Sequence, residues 1–119
     1  MSKKQDYVNL LVYGTLKRNG KLSSNLQGAT FIKEEIVTGF EMFNLGWFPG
    51  IKPGNGKISG EIYSIPISLL PRLDSVEGVP YLYKRETIST SLGDTFVYVY
   101  QGDPEPGSKV EGGTWNVKL

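Results

Sequence analysis

Short apolar runs alternate with turn-forming residues along the whole chain, a pattern typical of a strand-rich protein. The first run, Tyr7 to Tyr13, is mostly apolar on both of its alternating faces and ends at Gly14. Because a strand that is apolar on both faces is buried on both sides, we predict a central strand here. Five further segments are β-rich and are predicted as strands: 30–37, 40–44, 57–65, 83–91 and 95–101.

Gly and Pro residues mark the predicted connections between these strands. Thr38-Gly39 predicts a turn or a bulge between the second and third strands, and Gly93-Asp94 predicts the turn between the last two. Residues 46–56 contain four Gly and two Pro and are therefore predicted to form a loop. The segment after residue 101 is also rich in Gly and Pro and is predicted to be mostly loop.

The most convincing helical segment follows the fourth predicted strand. Ser68 is expected to cap it, Pro71 is tolerated in its first turn, and Gly78 stops it, which leaves a helix of about ten residues. One face of this helix is apolar, with Leu69, Leu70, Leu73 and Val76. A single helical turn is also expected near Ser23 to Leu26. Together these elements predict one compact α+β domain over residues 1–119, with residues 1–6 as a flexible tail and the sheet twisted or closed into a small barrel.

Composition excludes several kinds of chemistry. The chain has no Cys and no His, so it has no thiolate nucleophile, no imidazole base and no ordinary zinc site. Its net charge is +1, which favours neither nucleic acid nor an anionic membrane as a partner. No segment approaches the ~20 apolar residues that a membrane span needs, so we expect a cytoplasmic protein. Carboxylates, hydroxyls, Lys, Arg and backbone N–H groups remain as candidates for catalysis.

Glu77 is the carboxylate whose surroundings are least expected. It lies in the last turn of the predicted helix, where the helix dipole opposes a negative charge, and apolar groups of Val76, Val79 and Tyr81 are its sequence neighbours. Both effects favour the protonated form and would make Glu77 a better base near neutral pH. The alternatives are a capping box over residues 74–77 or a carboxylate in water, and physical reasoning alone favours a solvated surface carboxylate.

The turn after the first strand has two interpretations as well. Gly14 can simply provide the turn that ends a buried strand, with Thr15 as the cap of the next segment. Alternatively, successive free N–H groups at Gly14, Thr15 and Leu16 can form a nest that binds a carboxylate or a developing oxyanion.

Two motifs taken together resemble the gamma-glutamylcyclotransferase-like family, and most closely its gamma-glutamylamine cyclotransferase branch. They are Val-Tyr-Gly-Thr-Leu-Lys-Arg at residues 12–18 and Leu-Asp-x-x-Glu-Gly-x-Pro-x-x-Tyr-x-Arg at residues 73–85. Trp-Phe-Pro-Gly-Ile at 47–51 and Ile-Ser-Gly-Glu-Ile-Tyr at 58–63 resemble further family segments in the same order. The resemblance covers the chain from about Val8 to Tyr100.

The resemblance implies a fold and a site. The family's fold leads us to expect a small mixed, twisted β-barrel of about six strands with one or two short flanking helices. Glu77 is expected to be the catalytic acid/base. The γ-glutamyl substrate is expected to bind the residues that match the family motifs: Tyr13, Gly14, Thr15, Leu16, Tyr83 and Arg85.

The reaction that the resemblance implies needs no metal, no cofactor and no enzyme nucleophile. The α-amino group of the substrate attacks its own γ-amide carbonyl, which releases 5-oxoproline and a free amine or amino acid. The alternative is a binding module on the same fold that recognises a γ-glutamyl or amino acid ligand without turnover. A third possibility, a structural protein without a ligand, predicts that the Gly14 turn and Glu77 are far apart. In each case we expect a monomer or a weak dimer.

Overall fold

The computed structural model describes residues 6–116 and contains one sheet of five strands with one short helix packed on it. The α+β class and the mixed β-barrel architecture expected from the sequence are confirmed, the sheet being curled into a half-barrel. The strands are β1 (Tyr7–Val12), β2 (Thr30–Asn44), β3 (Pro49–Pro66), β4 (Tyr83–Thr90) and β5 (Gly93–Tyr100). The α-helix is α1 (Leu70–Val76), and 3₁₀ turns lie at Ser23–Leu26 and Ile67–Leu69.

The first strand lies at the centre of the sheet, as predicted. The strand order is β2-β3-β1-β5-β4, and β1 runs antiparallel to β3 but parallel to β5. Its side chains alternate between two hydrophobic clusters: Leu10 and Val12 join one, Leu11 and Tyr13 the other. The first cluster also contains Leu70 and Leu73, so α1 covers that face of the sheet. Each such buried aliphatic side chain contributes about 1.5–3 kcal/mol to folding.

Two predicted strands are one long strand, so the sheet has five strands rather than six. β2 continues through Thr38-Gly39, and the register shifts between Thr38 and Phe40. Gly39 has a φ of 91°, which glycine adopts at little cost. The alternative of a bulge at this place is therefore correct, and that of a chain-reversing turn is wrong.

The predicted loop over residues 46–56 is wrong for most of its length. β3 begins at Pro49, and its first residues pair with the end of β2, from Asn44 opposite Pro49 to Phe40 opposite Pro53. Only residues 61–66 of β3 pair with β1, so both prolines lie where β3 has a neighbouring strand on one side only. A proline is tolerated at such an edge because no second ladder needs its missing N–H.

The helix is shorter than predicted and begins differently. Leu69 occupies its N-cap position without a side-chain cap hydrogen bond, and Ser68 lies in the preceding 3₁₀ turn, so the predicted Ser68 cap is wrong. Pro71 lies in the first turn, and Gly78, with a φ of 67°, follows the end of the helix as expected. The turn between β4 and β5 is formed by Ser91 and Leu92, because Thr90 already pairs with Gly93.

Backbone hydrogen bonds attach both end segments of the described chain to β3 or to the 3₁₀ turn that follows it. The expected tail, residues 1–6, lies outside the described residues except for Asp6, whose carbonyl oxygen accepts a hydrogen bond of 2.9 Å from the Ile67 amide. The segment after β5 is largely irregular, as predicted, but the Ser59 amide donates to the Gly113 carbonyl at 2.9 Å. Across residues 6–116, no helix has the length and apolarity that a membrane crossing requires.

Candidate active site

The two sequence motifs meet in one cleft between the end of β1 and the end of α1. Its volume is about 140 Å³. It is lined by six residues that the sequence singled out: Tyr13, Gly14, Thr15, Leu16, Glu77 and Tyr83. The sequence did not predict the rest of the wall as site residues, although it placed Val76 beside Glu77 and Phe48 and Pro49 in a family-like segment; that wall includes Leu22, Phe48, Pro49, Val76, Leu82 and Tyr98. This arrangement contradicts the hypothesis of a structural protein without a ligand, since that hypothesis requires the Gly14 turn and Glu77 to lie apart.

Glu77 is the C-cap residue of α1, and its conformation is fixed by backbone hydrogen bonds. Its amide donates to the Leu73 carbonyl at 2.9 Å, and the chain turns away at Gly78. The side chain is half-buried in the apolar cleft, and this burial raises the pKa of Glu77 from 4.5 to about 7. Val76 lines the cleft as expected, but Tyr81 does not crowd Glu77, because its side chain is 89% exposed.

The turn after β1 is held by hydrogen bonds that leave three successive amides unused. The Lys17 amide donates to the Gly14 carbonyl at 3.0 Å, and the Leu22 amide donates to the Thr15 carbonyl at 2.9 Å. Within residues 6–116, none of the turn's hydrogen bonds uses the amide of Gly14, Thr15 or Leu16. These N–H groups belong to residues that line the cleft and are available to a ligand.

A buried carboxylate that sequence reasoning missed fastens the same turn to the sheet. Glu61 of β3 accepts a hydrogen bond of 3.0 Å from the Arg18 amide and another of 3.0 Å from the Tyr63 hydroxyl. The Arg18 guanidinium lies 3.6 Å from its second oxygen and packs over the Phe31 ring. The Gly-Glu-Ile-Tyr segment of the sequence was the signal that could have identified this residue.

Glycine is required at position 14 by a close approach and not by its backbone angles. Gly14 is absent from the residues with positive φ. A Cβ atom at this position would lie 2.5 Å from Cγ and 2.7 Å from Cδ of Pro49, which is closer than van der Waals contact allows. The extended start of β3 therefore forms the wall opposite the turn.

Three tyrosines of the cleft donate their hydroxyl hydrogens to fixed acceptors. The hydroxyl of Tyr13 donates to the Tyr98 carbonyl at 2.6 Å, and that of Tyr83 donates to the Pro49 carbonyl at 2.6 Å. Burial raises the pKa of all three hydroxyls above the ordinary value of 10, and the Asp74 carboxylate adds to this effect at Tyr98. Each is therefore neutral and serves to hold the walls in place.

Arg85 is the one predicted site residue that does not line the cleft. Its Nη1 lies 2.8 and 2.9 Å from the two carboxylate oxygens of Asp74, one turn before Glu77. Asp74 Oδ1 also accepts a hydrogen bond of 2.8 Å from the Tyr98 hydroxyl. The pair joins the end of α1 to β4 and β5. The Asp-x-x-Glu and Tyr-x-Arg motifs contain both members of this ion pair. Their spacing predicts the pair only when the register of β4 and β5 is known.

The site combines one carboxylate base with backbone donors. Of the described residues that line the cleft, Glu77 alone has a carboxyl group. Residues 6–116 contain no group of three His, Cys, Asp or Glu that could hold a metal ion. A proton acceptor near neutrality that shares a cleft with unused amides, which can stabilise an oxyanion, is suited to acyl transfer.

Comparisons with known proteins show which family this chain resembles in sequence and in fold. Residues 10–117 match the family described as Gamma-glutamyl cyclotransferase, AIG2-like. The gamma-glutamylcyclotransferase family protein YtfP of Citrobacter rodentium is 32% identical over 91% of this chain and 95% of its own. The gamma-glutamylaminecyclotransferase of Mus musculus is 29% identical over 87% of this chain and 73% of its own. A crystal structure of a protein from Pyrococcus horikoshii has a TM-score of 0.81 at 27% identity and covers 90% of this chain and 88% of that one. Matched over nearly its whole described length, the chain belongs to the gamma-glutamyl cyclotransferase, AIG2-like, family.

Proposed function

We propose that this protein is a gamma-glutamyl cyclotransferase that releases 5-oxoproline and a free amine or amino acid from a γ-glutamyl amide. The observation that carries the proposal is the position of Glu77. A half-buried carboxylate with a pKa of about 7 shares one cleft with three unused amides of the Gly14 turn. At neutral pH about half of the molecules then hold Glu77 as a base.

The size of the cleft suits the γ-glutamyl group. A cavity of about 140 Å³ is comparable to the roughly 150 Å³ cavities that accept a benzene-sized molecule. The amides of Gly14, Thr15 and Leu16 are the donors for the substrate carboxylate and for the developing oxyanion. Apolar side chains from Leu22, Phe48 and Leu82 exclude water, which favours ring closure over hydrolysis.

Glu77 carries protons between the two nitrogen atoms of the reaction. Its carboxylate accepts a proton from the substrate α-ammonium group, and the free amine attacks the γ-carbonyl carbon. A bond forms between the γ-carbonyl carbon and the α-nitrogen, which becomes the ring nitrogen, and the original amide bond breaks. The ring nitrogen loses two protons in total and the departing nitrogen gains two, so the amine leaves as its ammonium form and Glu77 returns to its starting state.

The test compares the wild type with Glu77→Gln on a panel of γ-glutamyl amines and dipeptides. 5-Oxoproline and released amine are quantified together and should appear in equal amounts. Glu77→Gln should lower kcat by about 10²-fold or more, in the range of a lost acid/base catalyst. Glu86→Gln, an exposed carboxylate on β4, is the matched control and should retain activity.

Two outcomes would refute the proposal in different ways. Equal release by the wild type and Glu77→Gln would remove Glu77 from the mechanism. No release by either protein, together with ligand binding in calorimetry, would identify a binding module on the same fold.

A further inference from the structure

The cleft is too small for a whole γ-glutamyl substrate. Its volume of about 140 Å³ accommodates the γ-glutamyl group, and none of the residues from 6 to 116 that line it is Lys or Arg. If the proposed reaction is correct, everything beyond the scissile amide must lie at the rim of the cleft. Residues next in sequence to the lining residues are candidates for contact with the departing amine.

Two adjacent segments meet at one side of this rim. Leu22 lines the cleft from the segment after the Gly14 turn, and Phe48 lines it from the turn between β2 and β3. Their preceding neighbours touch each other, because the Lys21 ammonium lies 5.0 Å from the centre of the Trp47 ring. This cation–π contact joins the two segments beside the cleft.

Both side chains are open to a ligand. Trp47 is 80% exposed, which is unusual for the largest apolar side chain, and Lys21 is exposed as well. Among the described residues, no carboxylate lies within ion-pair distance of the Lys21 ammonium. The Lys21 ammonium, which has no carboxylate partner among these residues, thus lies over one face of an exposed indole ring, a combination that recognises an aromatic group carrying an anion.

We propose that Lys21 and Trp47 form the subsite for the departing amine and favour an amine that bears a carboxylate beside an aromatic or large apolar group. An α-amino acid with such a side chain has this chemistry. Trp47 stacks on the side chain and Lys21 pairs with the carboxylate, while the scissile amide stays next to Glu77. The inference rests on the proposed function, since it assigns the departing group of that reaction.

Four substrates separate the two contributions. γ-Glutamyl-phenylalanine has both features, γ-glutamyl-phenethylamine lacks the carboxylate, γ-glutamyl-alanine lacks the aromatic ring, and γ-glutamyl-ethylamine lacks both. The expected order of kcat/KM places γ-glutamyl-phenylalanine first and γ-glutamyl-ethylamine last. Each feature should contribute about twofold to fivefold, as expected of an exposed cation–π contact or ion pair.

Single substitutions should remove one preference each. Trp47→Ala should abolish the preference for phenylalanine over alanine, and Trp47→Phe should restore most of it. Lys21→Gln should abolish the preference for γ-glutamyl-phenylalanine over γ-glutamyl-phenethylamine. Both substitutions should lower kcat/KM for γ-glutamyl-ethylamine, which has neither feature, less than they lower it for γ-glutamyl-phenylalanine. Lys57→Gln is the matched control, an exposed lysine on β3 that pairs with Thr38 and does not line the cleft.

Binding measurements keep this inference separate from the chemistry. Calorimetry with Glu77→Gln and the four substrates should give the same preferences as dissociation constants, without turnover. Unchanged preferences in Trp47→Ala and Lys21→Gln would overturn the subsite while leaving the proposed reaction intact. Preferences in binding but no 5-oxoproline from any substrate would support the subsite and refute the reaction.

Discussion

Replacing Glu77 with Gln should stabilise the folded protein in mildly alkaline solution, although it removes the carboxylate that we propose as the acid/base. Burial raises the pKa of Glu77 from 4.5 to about 7 in the folded state. Because the folded pKa lies above that of the unfolded chain, folding favours the protonated form. The associated stability is complete below about pH 4.5 and is lost as the pH rises through about 7.

The size of this effect follows from the change in proton affinity. Each tenfold change corresponds to about 1.4 kcal/mol, so a pKa raised from 4.5 to about 7 corresponds to about 3 kcal/mol. Glu77 borders an open cleft and is screened by solvent there, which reduces the expected value to about 2 kcal/mol. Gln does not ionise, so Glu77→Gln should exceed the wild type in free energy of unfolding by about 2 kcal/mol at pH 8.5 and match it near pH 4.

Urea unfolding followed by tryptophan fluorescence measures this difference. Wild type and Glu77→Gln are compared at several pH values between 4 and 8.5, with Glu86→Gln as an exposed control that should follow the wild type. The midpoint difference should open between pH 5 and 8 with unchanged m-values. Parallel stability curves, or a variant less stable than the wild type at pH 8.5, would refute the burial of an ionising carboxylate at this position.

Three further predictions concern activity and packing. kcat/KM of the wild type should rise with pH up to about 7 and fall about tenfold for each pH unit below it, since the base must be deprotonated; a flat profile down to pH 5 would contradict this. Gly14→Ala should lower kcat/KM at least about tenfold, because its Cβ would lie 2.5 Å from Pro49 Cγ. Unchanged kcat/KM in this variant would show that Pro49 moves aside and would contradict the prediction. Arg85→Gln should lower the free energy of unfolding by about 1–3 kcal/mol, because Asp74 loses its charged partner, and should lower kcat with little change in KM. Lys84→Gln on the same strand is the control. An effect on KM alone would instead place Arg85 at the substrate.

The central strand could be predicted from local pattern because its own residues are apolar on both faces, which matches its burial on both sides. Leu10, Leu11, Val12 and Tyr13 are all buried, in two clusters on opposite faces, so the run is apolar in both alternating sets. The helix end at Gly78 was equally local. By contrast, the start of β3 has the composition of a loop and forms a strand only because the end of β2 pairs with it.

The cluster of Asp74, Arg85 and Tyr98 could not be predicted because the turn between β4 and β5 was placed wrongly. With Gly93 and Asp94 as the two loop residues, Leu92 would pair with Thr95 and, by the same register, Arg85 with Gly102. The actual loop, Ser91 and Leu92, sets Arg85 opposite Tyr98. Only this register brings both side chains to Asp74, so a shift of two residues in the turn conceals the whole cluster.

The error at the start of β3 falls on a wall of the cleft, and for a physical reason. The residues that Gly and Pro patterns assign to a loop include Pro49, which approaches Gly14 so closely that no side chain fits there, and whose carbonyl accepts the Tyr83 hydroxyl. A site of this kind needs backbone close to the ligand. It also needs a carboxylate at the C-terminal end of a helix, where the helix dipole disfavours negative charge. Local propensity selects neither feature. Local pattern therefore misassigned part of the cleft wall, whereas Glu77, a carboxylate at a helix end where negative charge is disfavoured, was singled out from the sequence and lines the cleft.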